Sequence, residues 1–574
     1  MAESRATRAA NIAESQPLTI APGESGADLR EKGRQFAKAW RVIPHPQKRD
    51  GLRAHFEDSV AVLAGLQYAL RDRRHDDLTD DLKWLSDHLR LFAGDTMDIR
   101  TAMKKLSKLP YVRTAEFGEM PRAWTVMRGF GSAAKFVLTE SAFNSFIEGV
   151  IDVDPLDYKE LWALGQMLKL VLFEETAKRG RAAYEAFLRG DRNPNPVHME
   201  QVIQSLRLVG ELDWEEMVEP LSPVNRVFMD DPSGVYAAMD EITRALYLSE
   251  VSDLSKGSHF TEVQIAQLAV KMAAEEVPLT FPEREIARRR HVGFYLLGAG
   301  KDIFRDRIGF RPSFDTRLQD LLRRYPDEFY ILFIEFLSLV TIAGIITPFS
   351  HGKQPLSMLF LIAVLLFLPV TQAAVELVNY FITSILKPQP LPKFDFSDGV
   401  PDNCKTLVTV PTLLINEKQI RQLIEDLEIR YLGNQDRNIH YALLTDLPDS
   451  AEPADDNDPR IEFARKLIDD LNERYGHLNL GHFYLFHRHR VYNPQERTWM
   501  GWERKRGKLL DLNKLLRNAF DPFPVKVGDL SQIQNVRFVI TLDSDTQLPR
   551  GSAAKMIGTM AHPLNAAVID PKRN

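Results

Sequence analysis

The stretch "NVRFVITLDSDTQLPRGS", residues 535–552, places two carboxylates directly after an apolar run. The run FVITL has the composition of a β-strand, and we expect this strand to be buried on both faces. Asp543 and Asp545 follow where the strand ends. The pattern Asp-x-Asp also occurs at 152–154 and 456–458, so the pattern by itself is weak and its surroundings must decide its meaning.

The surroundings of this strand are a series of alternating strand-like and helix-like segments. The clearest are "TLVTVPTLLI" (406–415), "EKQIRQLIEDLEIRYL" (417–432), "HYALLTDL" (440–447), "RIEFARKLIDDLNERYG" (460–476) and "HFYLFHRHR" (482–490). Strands that alternate with helices predict βα units and a mainly parallel sheet over residues 404–574. Ligands of such sheets bind beyond the carboxyl ends of the strands. Asp446, Asp543 and Asp545 all fall at predicted strand ends and are therefore candidate site residues.

These residue types suit a metal–diphosphate site. Two carboxylates separated by one residue can hold a hard divalent cation, and Mg²⁺ is bound by one or two carboxylates together with substrate phosphates. A sugar nucleotide would supply such phosphates. The segment "WERKRGKLLDLN" (502–513) could add positive charge near them, through Arg504, Lys505, Arg506 and Lys508. The alternative for this segment is a solvated basic helix start.

Two long apolar segments predict a membrane hairpin. They are "FYILFIEFLSLVTIAGIITPF" (329–349) and "LSMLFLIAVLLFLPVTQAAV" (356–375), and each is as long as the roughly 20 residues that span a bilayer. The alternative is a buried helical hairpin in a large soluble protein. Basic residues flank the hairpin at Arg317, Arg323, Arg324, Lys387 and Lys393, whereas the loop between the spans has only Lys353. The positive-inside rule then places both flanks in the cytosol.

The remaining segments complete a multidomain prediction. Residues 1–30 are polar and small-rich and predict a disordered leader, residues 31–325 predict an all-α cytosolic domain, the hairpin extends over 329–386, and the Pro-rich residues 387–403 predict a linker. The chain of 574 residues has one cysteine and a net charge of −6. These values favour a reducing compartment and give no indication of nucleic-acid binding.

The order of several motifs resembles the nucleotide-binding half of inverting GT-A glycosyltransferases. The motifs are Val410-Pro411 with Asn416-Glu417, then Asp446, then the segment from Lys505 to Asn513, then "LDSDTQLPRG". The phrases "ERKRGKL", "TLDSDTQLPRG" and "HVGFYLLGAGK", together with the hairpin, more closely resemble the amino-terminal portion of cyclic β-1,2-glucan synthases. This resemblance covers about residue 35 to Asn574.

The resemblance implies a set of roles. Asp446 would contact the uracil of UDP-glucose, Asp543 would face ribose and metal, and Asp545 would ligate Mg²⁺ or Mn²⁺. Asp543 and Asp545 would thus be the catalytic pair, and Arg506 or Lys508 would lie near the phosphates. The enzyme would be an inverting glucosyltransferase of the bacterial inner membrane, multi-pass, with cytosolic soluble domains. It would extend a protein-linked β-glucan chain that becomes a cyclic, osmoregulated periplasmic glucan.

The sequence departs from that pattern in ways that leave alternatives open. Four residues, 412–415, separate Pro411 from Asn416, and no general base or Gln/Arg-x-x-Arg-Trp acceptor motif follows Asp545. We therefore expect an incomplete GT-A-like domain and a chain that by itself binds donor poorly and does not elongate glucan. One alternative is another processive membrane β-glycosyltransferase, which the long helical region before the hairpin disfavours. The other is an inactive truncated scaffold.

Overall fold

The computed structural model describes residues 26–43, 51–71, 73–190, 197–275, 277–278, 280–350, 355–386, 388–453 and 458–568. Residues 1–25 of the predicted leader, Lys353 and Lys387 lie outside the described residues, whereas residues 26–30 are already helical. The chain divides into two compact units. One is Met1–Asp230 with Leu248–Leu268, and the other is Asp231–Tyr247 with Ala269–Asn574.

The first unit is a set of helices packed around one long central helix. Its helices are α1 (Gly26–Lys38), α2 (Gly51–Arg71), α3 (Asp80–Asp87), α4 (Leu89–Leu106), α5 (Arg122–Ala133), α6 (Glu140–Ile151), α7 (Tyr158–Leu188), α8 (Met199–Glu211), α9 (Trp214–Val218) and α10 (Pro223–Phe228). Helix α7 begins with a capping box between Asp157 and Glu160, which satisfies backbone donors at its first turn. Helices α2, α5 and α8 pack against it and enclose a continuous apolar core.

A small antiparallel sheet is an exception to the expected all-helical region. Its strands are β1 (Arg41–Ile43), β2 (Tyr111–Thr114) and β3 (Gly118–Pro121), in the order β1-β2-β3. Each strand has only three or four residues. Segments this short are below the length at which a two-residue alternation can be recognised.

Two helices contain residues of both units, and four shorter ones precede the hairpin. They are α11 (Glu241–Lys256), α12 (Glu262–Ala274), α13 (Glu283–Arg289), α14 (Gly293–Leu296), α15 (Lys301–Arg307) and α16 (Phe314–Arg324). The segment "HVGFYLLGAGK" begins at the fully buried His291, whose Nδ1 lies 2.9 Å from an Asp231 carboxylate oxygen and whose Nε2 lies 2.7 Å from the Tyr247 hydroxyl. In the structure this segment is a packing element of the second unit.

The predicted hairpin is formed by α17 (Pro326–Ser350) and α18 (Leu356–Ile385). The two helices pack against each other, and the Tyr330 hydroxyl donates to the Asn379 side-chain oxygen at 3.1 Å. The candidate spans, Pro326–Pro348 and Leu356–Ile385, have mean hydropathies of 2.3 and 2.4, and only 11% of each apolar window is buried. Core helices of soluble proteins are mostly buried, so this exposure favours membrane association over the alternative of a soluble core hairpin.

The remainder of the second unit is an α/β fold. Its strands are β4 (Thr406–Leu413), β5 (Ile439–Asp446), β6 (Phe483–His487), β7 (Val491–Asn493), β8 (Thr498–Met500), β9 (Val525–Val527) and β10 (Phe538–Thr541), and its helices are α19 (Glu417–Gly433), α20 (Pro459–Tyr475), α21 (Arg504–Leu516) and α22 (Ser552–Ala561). A five-stranded sheet has the order β10-β4-β5-β6-β9, parallel except for β9. Strands β7 and β8 form a separate hairpin.

Both faces of this sheet are covered by helices. Tyr441 and Leu443 of β5 belong to an apolar cluster with α19, α20 and α22, whereas the alternating Ala442 and Leu444 belong to a second cluster with α21. This alternation agrees with the two-residue period of a strand. The expectation that β10 is buried on both faces is wrong. Strand β10 lies at the sheet edge, and only Ile540 of its four residues is buried.

Candidate functional site

The carboxyl ends of three parallel strands form the edge that carries the candidate residues. Strand β4 pairs in parallel with β10 on one side and with β5 on the other. Asp446 is the last residue of β5 and is paired with Leu413 of β4, whereas Asp543 follows β10 by two residues. Parallel strands end at the same edge of a sheet, so the chain brings these two aspartates to one edge with a single strand between them.

Asp446 is the anchor of a buried ion network. Its side chain is almost fully buried, with 2% exposure. The Arg488 guanidinium donates from Nε and Nη2 to the two carboxylate oxygens at 2.9 Å each, and the Lys508 ammonium lies 3.3 Å from Oδ2. A third guanidinium nitrogen of Arg488 donates to Asp511 at 2.9 Å. The carboxylates of Asp446 and Asp511 are thus each paired with a cation in a largely buried position, as buried charges require.

Burial shifts the pKa values of the groups around Asp446. It lowers the pKa of Lys508, although the Asp446 carboxylate favours the charged ammonium. Burial also acts to lower the pKa of Arg488, but its hydrogen bonds to the Asp446 and Asp511 carboxylates, together with their negative charges, outweigh burial and raise the pKa. The neighbouring His487, whose Nδ1 lies 2.9 Å from the Thr445 hydroxyl, has its pKa lowered by burial to about 4. This histidine is therefore neutral at pH 7.

Two glycines allow close contacts in this region, Gly501 with the Asp446 side chain and Gly507 with Trp502. A Cβ at Gly501 would lie 2.4 Å from Asp446 Oδ2, and a Cβ at Gly507 would lie 1.9 Å from the Trp502 carbonyl oxygen. Neither position has room for any side chain, because carbon and oxygen atoms do not approach so closely without bonding. Gly507 is the glycine of "KRGK", so this part of the motif has a steric reason.

The loop that carries Asp543 and Asp545 has a fixed backbone and exposed side chains. The guanidinium of Arg430, from α19, donates to the carbonyl oxygens of Ser544 and Thr546 at 2.8 Å each. Both aspartates are exposed to solvent, and Asp543 forms an ion pair with Lys505. Because Arg430 fixes the backbone of this loop, the carboxylates of Asp543 and Asp545 keep a defined position although they are exposed to solvent.

The first turn of α21 lies across the edge formed by these strands. Lys505 contacts Asp543 after β10, and Lys508 contacts both Asp446 at the end of β5 and the carbonyl oxygen of Thr412 on β4, the latter at 2.5 Å. The positive end of the helix dipole adds to these charges. Contacts from the start of this helix therefore join four residues singled out in the sequence in two pairs, Lys505 with Asp543 and Lys508 with Asp446.

Arg506 is placed differently from the other basic residues of this turn. Its side chain is 79% exposed and pairs with Glu503 at 3.3 Å. It lines a shallow groove of about 550 Å³ with Lys505, Leu509, Leu510 and Asn513. Lys505 and Lys508 contact the aspartates of the sheet edge, whereas Arg506 faces solvent. This difference follows from the 3.6-residue period of a helix, which turns each successive side chain to a new direction. Of the two expected phosphate contacts, only Lys508 contacts a site carboxylate in this structure.

The donor set at Asp543 and Asp545 fits a hard divalent cation. Within the described ranges there is no cluster of three or more His, Cys, Asp or Glu side chains that could hold a metal ion. Two carboxylates alone are the ligand set that Mg²⁺ takes when substrate phosphates supply the remaining oxygens. The pair therefore suits a cation that arrives with a diphosphate.

Sequence reasoning missed the residues that hold Asp446. Arg488 directly follows β6 and bonds to Asp446, and Asp511 of α21 bonds to Arg488, so only the fold brings them next to β5. One signal was available, because "HRHR" places basic residues after the strand adjacent to β5. A groove of about 660 Å³ borders this network, lined by Arg488, Asp511, Trp502, Phe520 and neighbouring residues.

Comparison with known proteins gives one curated relative. Over an alignment of 414 residues, the chain is 32% identical to "Cyclic beta-(1,2)-glucan synthase NdvB" of Rhizobium meliloti (strain 1021), and the match covers 70% of the chain. The matched region spans 14% of the length of that relative. No protein-family model matches the chain.

Proposed function

Because the chain is a homologue of a cyclic β-(1,2)-glucan synthase, we propose that it supplies the donor-binding part of a membrane glucosyltransferase. The α/β fold would be a GT-A-like domain that binds UDP-glucose for inverting transfer to a β-1,2-glucan chain. One observation carries the proposal. The basic first turn of α21 contacts Asp543 and Asp446 at one sheet edge, through Lys505 and Lys508.

The residues of this edge suit the parts of a sugar nucleotide. Asp543 and Asp545 would hold Mg²⁺ or Mn²⁺, which when bound neutralises charge on the diphosphate leaving group. Lys505 would turn from Asp543 toward the phosphates, because its exposed side chain is free to change rotamer. Lys508 is buried and already engaged, so it would act as a fixed positive charge beneath the diphosphate.

The proposed uracil contact of Asp446 must be compatible with its buried network. A carboxylate has about four acceptor positions, and Arg488 and Lys508 occupy three of those of Asp446. One position remains for a polar hydrogen of the base. Arg488 would then fix the direction of that contact, since its two parallel bonds hold the carboxylate plane.

The membrane arrangement is part of the same proposal. The hairpin would anchor the domain in the bacterial inner membrane with both flanks in the cytosol, where nucleotide sugars are made. The growing chain would be protein-linked and its cyclic product periplasmic. The two exposed apolar helices support the anchoring, and the arginines before α17 support the orientation.

Photolabelling tests donor binding even where affinity is weak. The full chain in detergent would be irradiated with a radiolabelled azido-UDP-glucose in the presence of Mn²⁺, with unlabelled UDP and ADP as competitors. We expect labelling that requires Mn²⁺, that UDP competes better than ADP, and that Asp545→Ala abolishes. Asp470→Ala, a change at an exposed aspartate of α20, is the matched control and should label normally.

Two results would contradict the proposal. Equal labelling of Asp545→Ala and the unchanged chain would remove the aspartate pair from the site. Absence of any Mn²⁺-dependent label, in a sample whose sheet remains folded by circular dichroism, would favour a scaffold. Mapping the labelled peptide locates the donor site in the chain. We expect the label on residues near Asp446 or in the first turn of α21.

A further inference from the structure

Helix α16 presents an exposed apolar stripe. Phe314 is 80% exposed, Leu321 is 53% exposed, and Tyr325, directly after the helix, is 46% exposed. A helix with 3.6 residues per turn places these three side chains within about 40° of one another. Leu322, about 100° further around the helix, is only 2% exposed. One flank of α16 therefore packs on the protein, and the stripe faces outward.

The border of this stripe is cationic. Arg317 and Arg324 are exposed and lie about 60–80° from the centre of the stripe, on the same side. The carboxylates of the helix lie further away. Asp315 and Asp320 are about 100° or more from the stripe, and Asp320 is already paired with Arg305 at 2.9 Å. An apolar stripe bordered by arginines is the surface of a helix that lies at a membrane interface.

The position of α16 matches that interpretation. It ends at Arg324, two residues before α17 begins at Pro326. Its Gln319 side chain donates to the carbonyl oxygen of Ile385, the last residue of α18, at 3.4 Å. The start of one apolar helix and the end of the other thus meet at α16. For a hairpin that spans a bilayer, its two ends lie at the level of the phospholipid headgroups.

The charges at this level decide which interaction dominates. Asp327 and Glu328 lie in the first turn of α17, where a helix N-terminus favours carboxylates, and they offset the positive charge of Arg317 and Arg324. Net attraction to a negatively charged surface is therefore modest. Burial of the apolar stripe is the larger contribution, and the arginines add local contacts with phosphate groups.

We propose that α16 lies in the headgroup layer of the bilayer. Phe314, Leu321 and Tyr325 face the acyl-chain boundary, and Arg317 and Arg324 bind the phosphates of anionic phospholipids. The proposal rests on insertion of the hairpin, which is part of the proposed function. An interfacial helix fused to a span restricts tilt and rotation of the hairpin, so α16 would set how the second unit meets the membrane.

The chain's single cysteine makes a depth measurement direct. Cys404 is buried, and Cys404→Ser gives a background for one spin label at a time in the full chain. Labels would be placed by Phe314→Cys and Leu321→Cys in the stripe and by Arg323→Cys on the opposite side of α16. A fourth label, by Val364→Cys, would occupy an exposed position near the middle of the apolar segment 356–375 of α18. Each protein would be reconstituted into nanodiscs of phosphatidylcholine, with and without phosphatidylglycerol. Collision rates with oxygen and with a water-soluble nickel chelate report depth.

We expect the stripe labels to collide mainly with oxygen, the label at 323 mainly with nickel, and the label at 364 to be the deepest. Adding phosphatidylglycerol should move the label at 321 deeper, and the double variant Arg317→Gln/Arg324→Gln should remove that shift. Stripe labels as accessible to nickel as the label at 323, with 364 deep, would overturn this inference alone. Stripe labels that collide with neither reagent would show that the stripe contacts protein and not lipid. This result would also overturn the inference. A nickel-accessible label at 364 would instead overturn insertion of the hairpin and, with it, both proposals.

Discussion

The aspartates at the two ends of one sheet edge differ in burial and in the number of ion-pair partners. Asp446 follows a central strand, is 2% exposed, and is bound by Arg488 and Lys508. Asp543 and Asp545 follow the edge strand β10 and are exposed, and Asp543 forms an ion pair with Lys505. A carboxylate at a central strand end is enclosed by neighbours on both sides, whereas one beyond an edge strand has a neighbour on one side only.

This difference indicates that the buried aspartate contributes mainly to stability and the exposed aspartates mainly to ligand binding. A fully paired buried carboxylate is expensive to disturb and fixes its neighbours. An exposed carboxylate contributes little to folding and keeps its acceptor positions available to a ligand. Asp446 should therefore contribute strongly to folding in addition to its proposed contact with the base, so that its loss unfolds the edge. The exposed Asp543–Asp545 pair should bind the ligand, and its loss should leave the fold unchanged.

The largest effect should come from Asp446→Ala. The change leaves Arg488 and Lys508 as buried cations with too few partners, which typically costs about 3–5 kcal/mol. Hydrogen–deuterium exchange of peptides covering β5 and β6 measures this locally in the full chain. We expect exchange to accelerate by about two to three and a half orders of magnitude, at about 1.4 kcal/mol per factor of ten. Asp470→Ala on the surface of α20 should leave these peptides unchanged, and equal protection in both variants would contradict the buried network.

The second effect is a loss of stability in acid at the same end of the edge. The pKa of His487 is lowered by burial to about 4 from an ordinary 6.5, so the unfolded chain binds a proton in this interval that the folded chain does not. Stability is then complete above pH 6.5 and falls as the pH drops toward 4. The loss is about 3 kcal/mol at 1.36 kcal/mol per pH unit. Exchange of the β6 peptide, corrected for the intrinsic rate at each pH, measures it.

His487→Gln tests the assignment of that acid sensitivity. The variant has no titrating ring at position 487, so its β6 protection should depend less steeply on pH between 6.5 and 4. His440 and His562 are also buried with lowered pKa values, so some pH dependence should remain. The same change at the exposed His477 controls for loss of a histidine. A β6 profile as steep in His487→Gln as in the unchanged chain would remove His487 from the explanation.

The sequence predicted the elements with strong periodicity and missed those set by long-range contacts. Strands β4 and β5 and helices α19 and α20 lie within two residues of their predicted bounds, because long apolar runs and amphipathic repeats determine them locally. Strand β9 has three residues and pairs with β6 across intervening elements, so no local pattern predicts it. The edge position of β10 depends on strand order, which the local sequence does not contain.

The candidate site shows the same division between local and distant information. The sequence identified Asp446, Lys508 and Asp543 as strand-end and helix-start residues, and the fold brings them to one edge. It did not identify Arg488, because its bond to Asp446 joins residues 42 positions apart. The pattern at 152–154 makes the same point, since Asp152 accepts hydrogen bonds from Arg30 and Arg34 on α1. Two identical patterns differ because of partners far away in the chain.

A smaller effect on stability, with a large effect on binding, is expected for Asp545→Asn. An exposed side chain replaced by its amide should change the free energy of unfolding by no more than about 0.5 kcal/mol. Loss of the charged oxygen should weaken Mn²⁺ binding in the presence of UDP by at least about tenfold, since hard cations prefer charged oxygen ligands. The EPR signal of free Mn²⁺ measures binding directly. Suppose that Mn²⁺ binding is unchanged in the variant and that hydrogen exchange of the β10 peptide is unchanged as well. This result would contradict the assignment of Asp545 as a cation ligand.

The smallest effect should come from Lys505→Ala, and its sign distinguishes two roles for this lysine. As the partner of Asp543, Lys505 competes with a cation, and exposed ion pairs are worth at most about 1 kcal/mol. Removing it should therefore strengthen Mn²⁺ binding without nucleotide by no more than about fivefold at 1.4 kcal/mol per factor of ten. If Lys505 contacts a phosphate of the donor, its loss should weaken Mn²⁺-dependent labelling by azido-UDP-glucose. Opposite signs in the two measurements would show that Lys505 passes from carboxylate to phosphate when donor binds. Losses in both measurements would mean that Lys505 only orders the loop. Lys466→Ala, at an exposed lysine of α20, is the matched control and should leave both measurements unchanged.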